Sequence, residues 1–145
     1  RLLDWCRRGF DYVGAPWPYY EHIGEQSRFL LKFPGMKSFF RRAGQGGFSL
    51  RRVAACHQAS RRLSLFRVLT RKYTEDVLWA ALGSRLQRPF RIAGFEESLE
   101  FAFDSNAALC YQLNGGRLPF GCHRWFGRDA DFWRDKAKAY GMFPQ

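Results

Sequence analysis

The sequence predicts an α/β chain, and three observations point there. Short apolar runs bounded by Gly or Pro alternate with longer stretches of helical spacing, the pattern of strands exchanging with helices. Hydrophobic residues form 46% of the 145 and aromatics 18%, enough for one modest packed core and too much for a disordered tail. No internal repeat or low-complexity stretch interrupts the alternation.

Taken in order, RLLDWCRRGF (1–10) has apolar residues at 2, 3, 5, 6 and 10, which predicts a short helix ending at Gly9. FDYVGAP (10–16) reads as a short buried strand stopped by Gly14 and Pro16. Residues 17–44 lack a clean period and are broken by Pro18, Gly24, Pro34 and Gly35, so they read as a long loop. GGFSLRRV (46–53) reads as a strand with Phe48 and Leu50 on one face. VAACHQASRRL (53–63) places Val53, Cys56 and Leu63 near helical spacing. TEDVLWAALGSRL (74–86) is the best-signalled helix: Thr74 caps it, Glu75 and Asp76 occupy its first turn, and Val77, Leu78, Ala81, Leu82 and Leu86 form a stripe. SLEFAFD (98–104) alternates at Leu99, Phe101 and Phe103 and reads as a strand. Asn114-Gly115-Gly116 reads as a turn between extended runs ALCYQL (108–113) and RLPFGCH (117–123). DADFWRDKAKAY (129–140) closes as an amphipathic helix through Phe132, Trp133, Ala137 and Tyr140, with Asp129-Ala130-Asp131 at its capped start.

The formal net charge of +11 says little about fold but predicts attraction to polyanions: phosphate-bearing small molecules, anionic lipid or nucleic acid. Arg-Arg pairs stand at 7–8, 41–42, 51–52 and 61–62, several of them close to aromatics. The sequence carries no recognisable nucleic-acid module, so a solvated basic surface outweighs a polynucleotide site. Cysteines at 6, 56, 110 and 122 form no C-x-x-C pair, which argues for reduced structural thiols in a cytoplasmic protein. No apolar run reaches the roughly 18–20 residues of a membrane span.

Four constellations could carry chemistry. GQGGFSLRR (44–52) places three glycines in four positions, permitting close backbone approach to a ligand, but matches neither a Walker loop nor a dinucleotide fingerprint. Thr74-Glu75-Asp76 is explained as a helix cap; a carboxylate facing a cleft could instead take a proton. PFGCHRW (119–125) carries His123, whose imidazole together with oxygen ligands would suit Mn²⁺. The D-x-D string at 129–131 opens a helix and is best explained by capping.

FDYVGAPW (10–17), GQGGFSLRR (44–52), TEDVLWAA (74–81), FEESLEFAFD (95–104) and PFGCHRW (119–125) also occur in a fixed order. Together they resemble an uncharacterised family of glycosyltransferase-like proteins with the signature DYIGAPW, GNGGFSLR, EDV, a Phe-rich segment ending in an acid, then PFG-x-H. Gln45 stands where that family usually has Asn. The resemblance implies the acceptor-side, C-terminal half of a GT-A-like fold: a single partial domain over 1–145, with a mixed sheet flanked by helices. The D-x-D-bearing nucleotide half is expected to precede Arg1. The implied activity is metal-assisted transfer of a sugar from a nucleotide-sugar donor to a hydroxyl on a glycan, lipid-linked or protein acceptor. The resemblance assigns Asp76 as general base, if transfer inverts the anomeric centre, and Glu75 as acceptor-positioning acid. It assigns Gly46, Gly47, Phe48, Ser49 and Trp17 to substrate binding, and His123 to a divalent metal, Mn²⁺ or Mg²⁺. Peripheral membrane contact would follow from the basic surface. The alternatives are a non-catalytic basic module for nucleic acid or acidic glycan, and an inactive transferase relic.

Overall fold

The computed structural model describes residues 1–18, 32, 43–62, 75–76, 79–80, 83, 89–127 and 129–141. Helix α1 (Leu2–Arg7) is followed by Gly9 at φ +73°, a backbone setting that glycine adopts without strain. Strand β1 (Tyr12–Pro16) is buried along its whole length. It pairs antiparallel with β2 (Ala43–Arg51) on one edge. On the other edge it takes a parallel bridge from Ile92, secured by Asp11 and Tyr12 N–H to Arg91 O and Ala93 N–H to Tyr12 O. Partners on both edges satisfy the β1 backbone, and burial of every residue along the strand leaves it no outward polar face. Helix α2 (Val53–Arg62) follows, and residues 75–76, 79–80 and 83 are also helical. Thr74 and the stripe at 77, 78, 81, 82 and 86 lie outside the described residues, as does nearly all of 17–44.

Downstream come α3 (Phe95–Phe101), β3 (Ala102–Phe103), α4 (Ala107–Leu113), β4 (Gly121–Cys122) and α5 (Ala130–Ala139). β3 and β4 pair in parallel. The molecule is thus α/β, with small antiparallel and parallel sheets flanked by helices.

One hydrophobic cluster joins Trp5, Tyr12, Val13, Trp79, Phe90 and Phe101, with Phe48 and Phe120 packed on it. A second joins Leu99, Phe103, Ala107 and Cys110 beneath Phe132 and Trp133 of α5.

Three expectations are corrected. SLEFAFD is not a strand: residues 95–101 are helical and only Ala102–Phe103 is extended. Leu99 and Phe103 enter the second cluster while Phe101 and Ala102 enter the first, so the segment is buried on both sides. Alternation then reports no single face. Glu96 and Glu97 in the first turn complement the helix dipole instead. ALCYQL is likewise helical, with Ala107, Cys110 and Tyr111 at the i, i+3, i+4 spacing. Asn114-Gly115-Gly116 therefore closes α4 rather than joining strands. Gly116 N–H reaches Tyr111 O and Gly115 N–H reaches Gln112 O, with both glycines at positive φ. In α2 the buried positions are Ala55 and Ala59, whereas Val53 is exposed.

Asp11, buried just before β1, ties three segments together. Its Oδ2 accepts from Arg91 N–H at 2.7 Å, and its Oδ1 lies 3.3 Å from Arg52 Nε. Asp11→Ala leaves the Arg91 amide without its acceptor, which costs about 1–3 kcal/mol. Thermal denaturation should show a fall of roughly 5 °C.

Burial also makes the fold alkali-sensitive. The Cys110 thiol is pushed from 9.0 up to about 12, first by burial and then by the nearby Asp129 and Asp104 carboxylates. The Tyr12 hydroxyl is raised from 10.0 by burial and then by Asp76. Above these ordinary values the unfolded chain sheds both protons while the folded chain keeps them. Stability is therefore full below about pH 9 and falls as pH rises, by up to roughly 1.4 kcal/mol per pH unit per group. Melting curves from about pH 8 to 11 should show this decline, with a shallower slope in Cys110→Ala.

Candidate functional site

The β1–β2 register explains how the glycine-rich segment leaves the sheet. Gly14 pairs with Ser49, but the next residue, Ala15, pairs with Gln45. Residues 46–48 are thereby extruded as a wide bulge. A Cβ at Gly14 would collide with Gln45 O, so only glycine there lets β2 turn this closely. Ser49 Oγ donates to Gly46 O at 3.1 Å, and Arg51 Nη2 donates to the same oxygen at 3.3 Å. Arg51 Nε also donates to Ser49 Oγ at 3.0 Å, closing the bulge from below.

The bulge presents its backbone to two sets of side chains. Gly46 N–H donates to Asp76 Oδ2 at 3.2 Å, and Glu75 Oε1 accepts from Arg51 Nη2 at 3.1 Å. A Cβ at Gly46 would sit 2.8 Å from Glu75 Oε1 and 3.0 Å from Asp76 Cβ. A Cβ at Gly47 would fall within the His123 ring. Neither glycine has positive φ, so each is required for space rather than for backbone conformation. Two neighbouring residues thus bring the acid pair and the imidazole to within on the order of 10 Å of each other.

His123 reaches this place through the β3–β4 register. Ala102 pairs with Gly121 and Phe103 with Cys122, and His123 N–H donates to Phe103 O at 2.9 Å. One step on, Asp104 and His123 stand side by side, with Nδ1 and Oδ1 2.5 Å apart. Gln45 Nε2 donates to the other Asp104 oxygen at 2.9 Å.

The structure therefore brings Gly46, Gly47, Ser49, Glu75, Asp76 and His123 together. Phe48 turns away into the core, 5.3 Å from the Phe101 ring and 6.1 Å from that of Phe120. Trp17 is 6% exposed, and its indole lies where a Gly44 side chain would be, so one ring face is already occupied. The close approach that the glycines permit is to the protein's own side chains. Asp104 is the site residue that sequence reasoning misses. Its signal is its position at the end of the Phe-rich segment, one register step from His123.

Several of the described arginines are paired with the protein's own side chains. Arg8 lies over the Trp5 ring and pairs with Glu100, Arg51 pairs with Glu75, and Arg52 pairs with Asp11. Among the described residues, two of the Arg-Arg pairs thus serve packing as well as surface charge.

The fit to a metal is limited to one ligand. An imidazole whose other nitrogen is held by a carboxylate is the usual outer arrangement of a metal-bound histidine. Among the described residues, however, no group of three His, Cys, Asp or Glu could hold an ion, so further ligands would have to come from elsewhere. No helix among them is long and apolar enough to cross a membrane.

A family model described as a protein of unknown function, DUF5672, matches residues 1–123, and the chain belongs to that family. The match runs from the first helix through His123 and so includes every residue of the convergence. No curated protein and no solved structure matches the chain.

Proposed function

We propose that the protein is the acceptor-side part of a metal-assisted glycosyltransferase, acting on a nucleotide-sugar donor and an acceptor hydroxyl. One observation carries the reading: the Gly46–Gly47 backbone is flanked by Asp76 and Glu75 on one side and by His123 on the other. Two segments distant in sequence supply a base, a second acid and a metal-binding nitrogen around a turn, from a third, that is bare of side chains. The five ordered motifs that resemble glycosyltransferase-like proteins assign the same residues.

In this reading Asp76 accepts the proton of the acceptor hydroxyl as its oxygen bonds to the sugar's anomeric carbon. The bond from that carbon to the diphosphate breaks, and the diphosphate departs with the electron pair. Glu75, steadied by Arg51, orients the acceptor. His123 would supply one ligand to a divalent ion, whose charge would neutralise that of the leaving group. Gly46 and Gly47, by lacking side chains, let Glu75, Asp76 and His123 close around one turn, and Ser49 keeps the bulge closed.

The test is a donor-hydrolysis screen of the full-length protein with several nucleotide sugars and Mn²⁺. Turnover of at least one donor, lost on chelation, is the expected result. His123→Ala should then require more metal for half-maximal rate, an effect larger than the stability lost when Asp104 Oδ1 loses its partner. Absence of turnover with every donor, with and without candidate acceptors, overturns the proposal. Steeply salt-dependent binding of short oligonucleotides would favour the basic-module alternative instead.

A further inference from the structure

The Asp104 side chain is only 7% exposed, yet both its oxygens are committed, Oδ1 to His123 Nδ1 and Oδ2 to Gln45 Nε2. A carboxylate bridged between an amide and an imidazole has a directional consequence. An ionised carboxylate only accepts hydrogen bonds, so the imidazole must carry its proton on Nδ1. Nε2 is then left with its lone pair, on the edge of a ring that lies against Gly47. The three residues come from β2, the end of β3 and the end of β4, so the orientation is set by both sheets.

We propose that Asp104 is the positioning residue that fixes His123 in the Nδ1–H tautomer, with Gln45 in turn holding Asp104. This deepens the transferase reading, on which the use made of the Nε2 lone pair depends. The tautomer itself follows from the two hydrogen bonds and the charge of the carboxylate, independently of that reading.

The isosteric change Asp104→Asn tests it. With the Gln45 amide still donating, the introduced carboxamide turns its oxygen to Gln45 and its NH₂ to His123. Nδ1 must now accept, and the proton moves to Nε2. Adding Gln45→Glu replaces the donor by an acceptor, turns the introduced carboxamide round, and returns its oxygen to Nδ1–H.

The readout is the imidazole ¹⁵N spectrum of ¹⁵N-histidine-labelled protein, which distinguishes a protonated from an unprotonated ring nitrogen, recorded in mildly alkaline solution. The chain has three histidines, so His123→Gln identifies the signal by its loss. The expected result is an Nδ1–H tautomer in the wild type, its loss in Asp104→Asn, and its return in the double variant. An Nε2–H tautomer in the wild type, or an unchanged tautomer in Asp104→Asn, overturns the proposal. Failure of the double variant to recover it removes Gln45 from the relay. The wild-type spectrum decides the first point even if a variant does not fold. Neither metal nor sugar nucleotide is present, so a failed transferase assay and a wrong tautomer remain separate results.

Discussion

Asp76→Asn should lower kcat by roughly 10²–10⁴, the usual contribution of a general base. The variant is chosen because the amide oxygen it introduces can still accept from Gly46 N–H, the bond Asp76 makes at 3.2 Å. The bulge is thereby retained while the proton acceptor is removed. Asp76 is 8% exposed, and its carboxylate faces the glycine turn from a helical segment whose next described residues, Trp79 and Ala80, are buried in the core. Stopped-flow or steady-state rates under saturating donor separate the outcomes. A fall in kcat with little change in donor KM fits loss of a group that acts in the transition state. Near-normal turnover would leave Asp76 a structural anchor for the bulge and nothing more.

Gly47→Ala should lower the rate by on the order of 10²-fold or more at a metal concentration that saturates the wild type. The new methyl group needs the space now filled by the imidazole. His123 cannot yield without leaving Asp104, because the two are joined at 2.5 Å. The stability loss should stay near 1–2 kcal/mol, the ordinary result of overpacking. Gly115→Ala supplies the contrast. Gly115 stands at φ +65° with open space around the would-be methyl group, so the cost is backbone strain of about 1 kcal/mol and activity should not change. Equal activity losses in the two variants would show that the Gly47 effect is general destabilisation.

The candidate site is legible in the sequence in part. Glycines at 44, 46 and 47, the acids at 75 and 76 and the imidazole at 123 can each be named from residue type, because reactive groups and bare backbone are visible there. Their partners are not. Glu75 and Asp76 are a sound helix start in sequence, and only the folded chain shows them meeting Arg51 and Gly46. Phe48 and Trp17 border the glycine and Gly-Ala-Pro motifs, which is what assigns them to substrate. Residue type cannot say which way a ring turns, and both turn inward.

The misreading of SLEFAFD as a strand has a physical cause. Leu99, Phe101 and Phe103 look like one face of a strand, yet the segment runs between two clusters and is buried on both sides. Hydrophobic periodicity reports secondary structure only when one side meets water. Where water is present, as on α5, helical spacing is readable.

The sequence by itself determined the α/β alternation, the buried β1, a strand near Phe48–Leu50 and the closing amphipathic helix. These follow from local propensity and from which residues avoid water. Tertiary structure alone decided that residues 46–48 leave the ladder, that Asp104 stands beside His123, and that the acids and the imidazole flank the same two glycines. Those are consequences of strand register, which depends on contacts between segments as far apart as residues 14 and 49 or 103 and 122. A single residue's slip would move every one of these side chains to the opposite face.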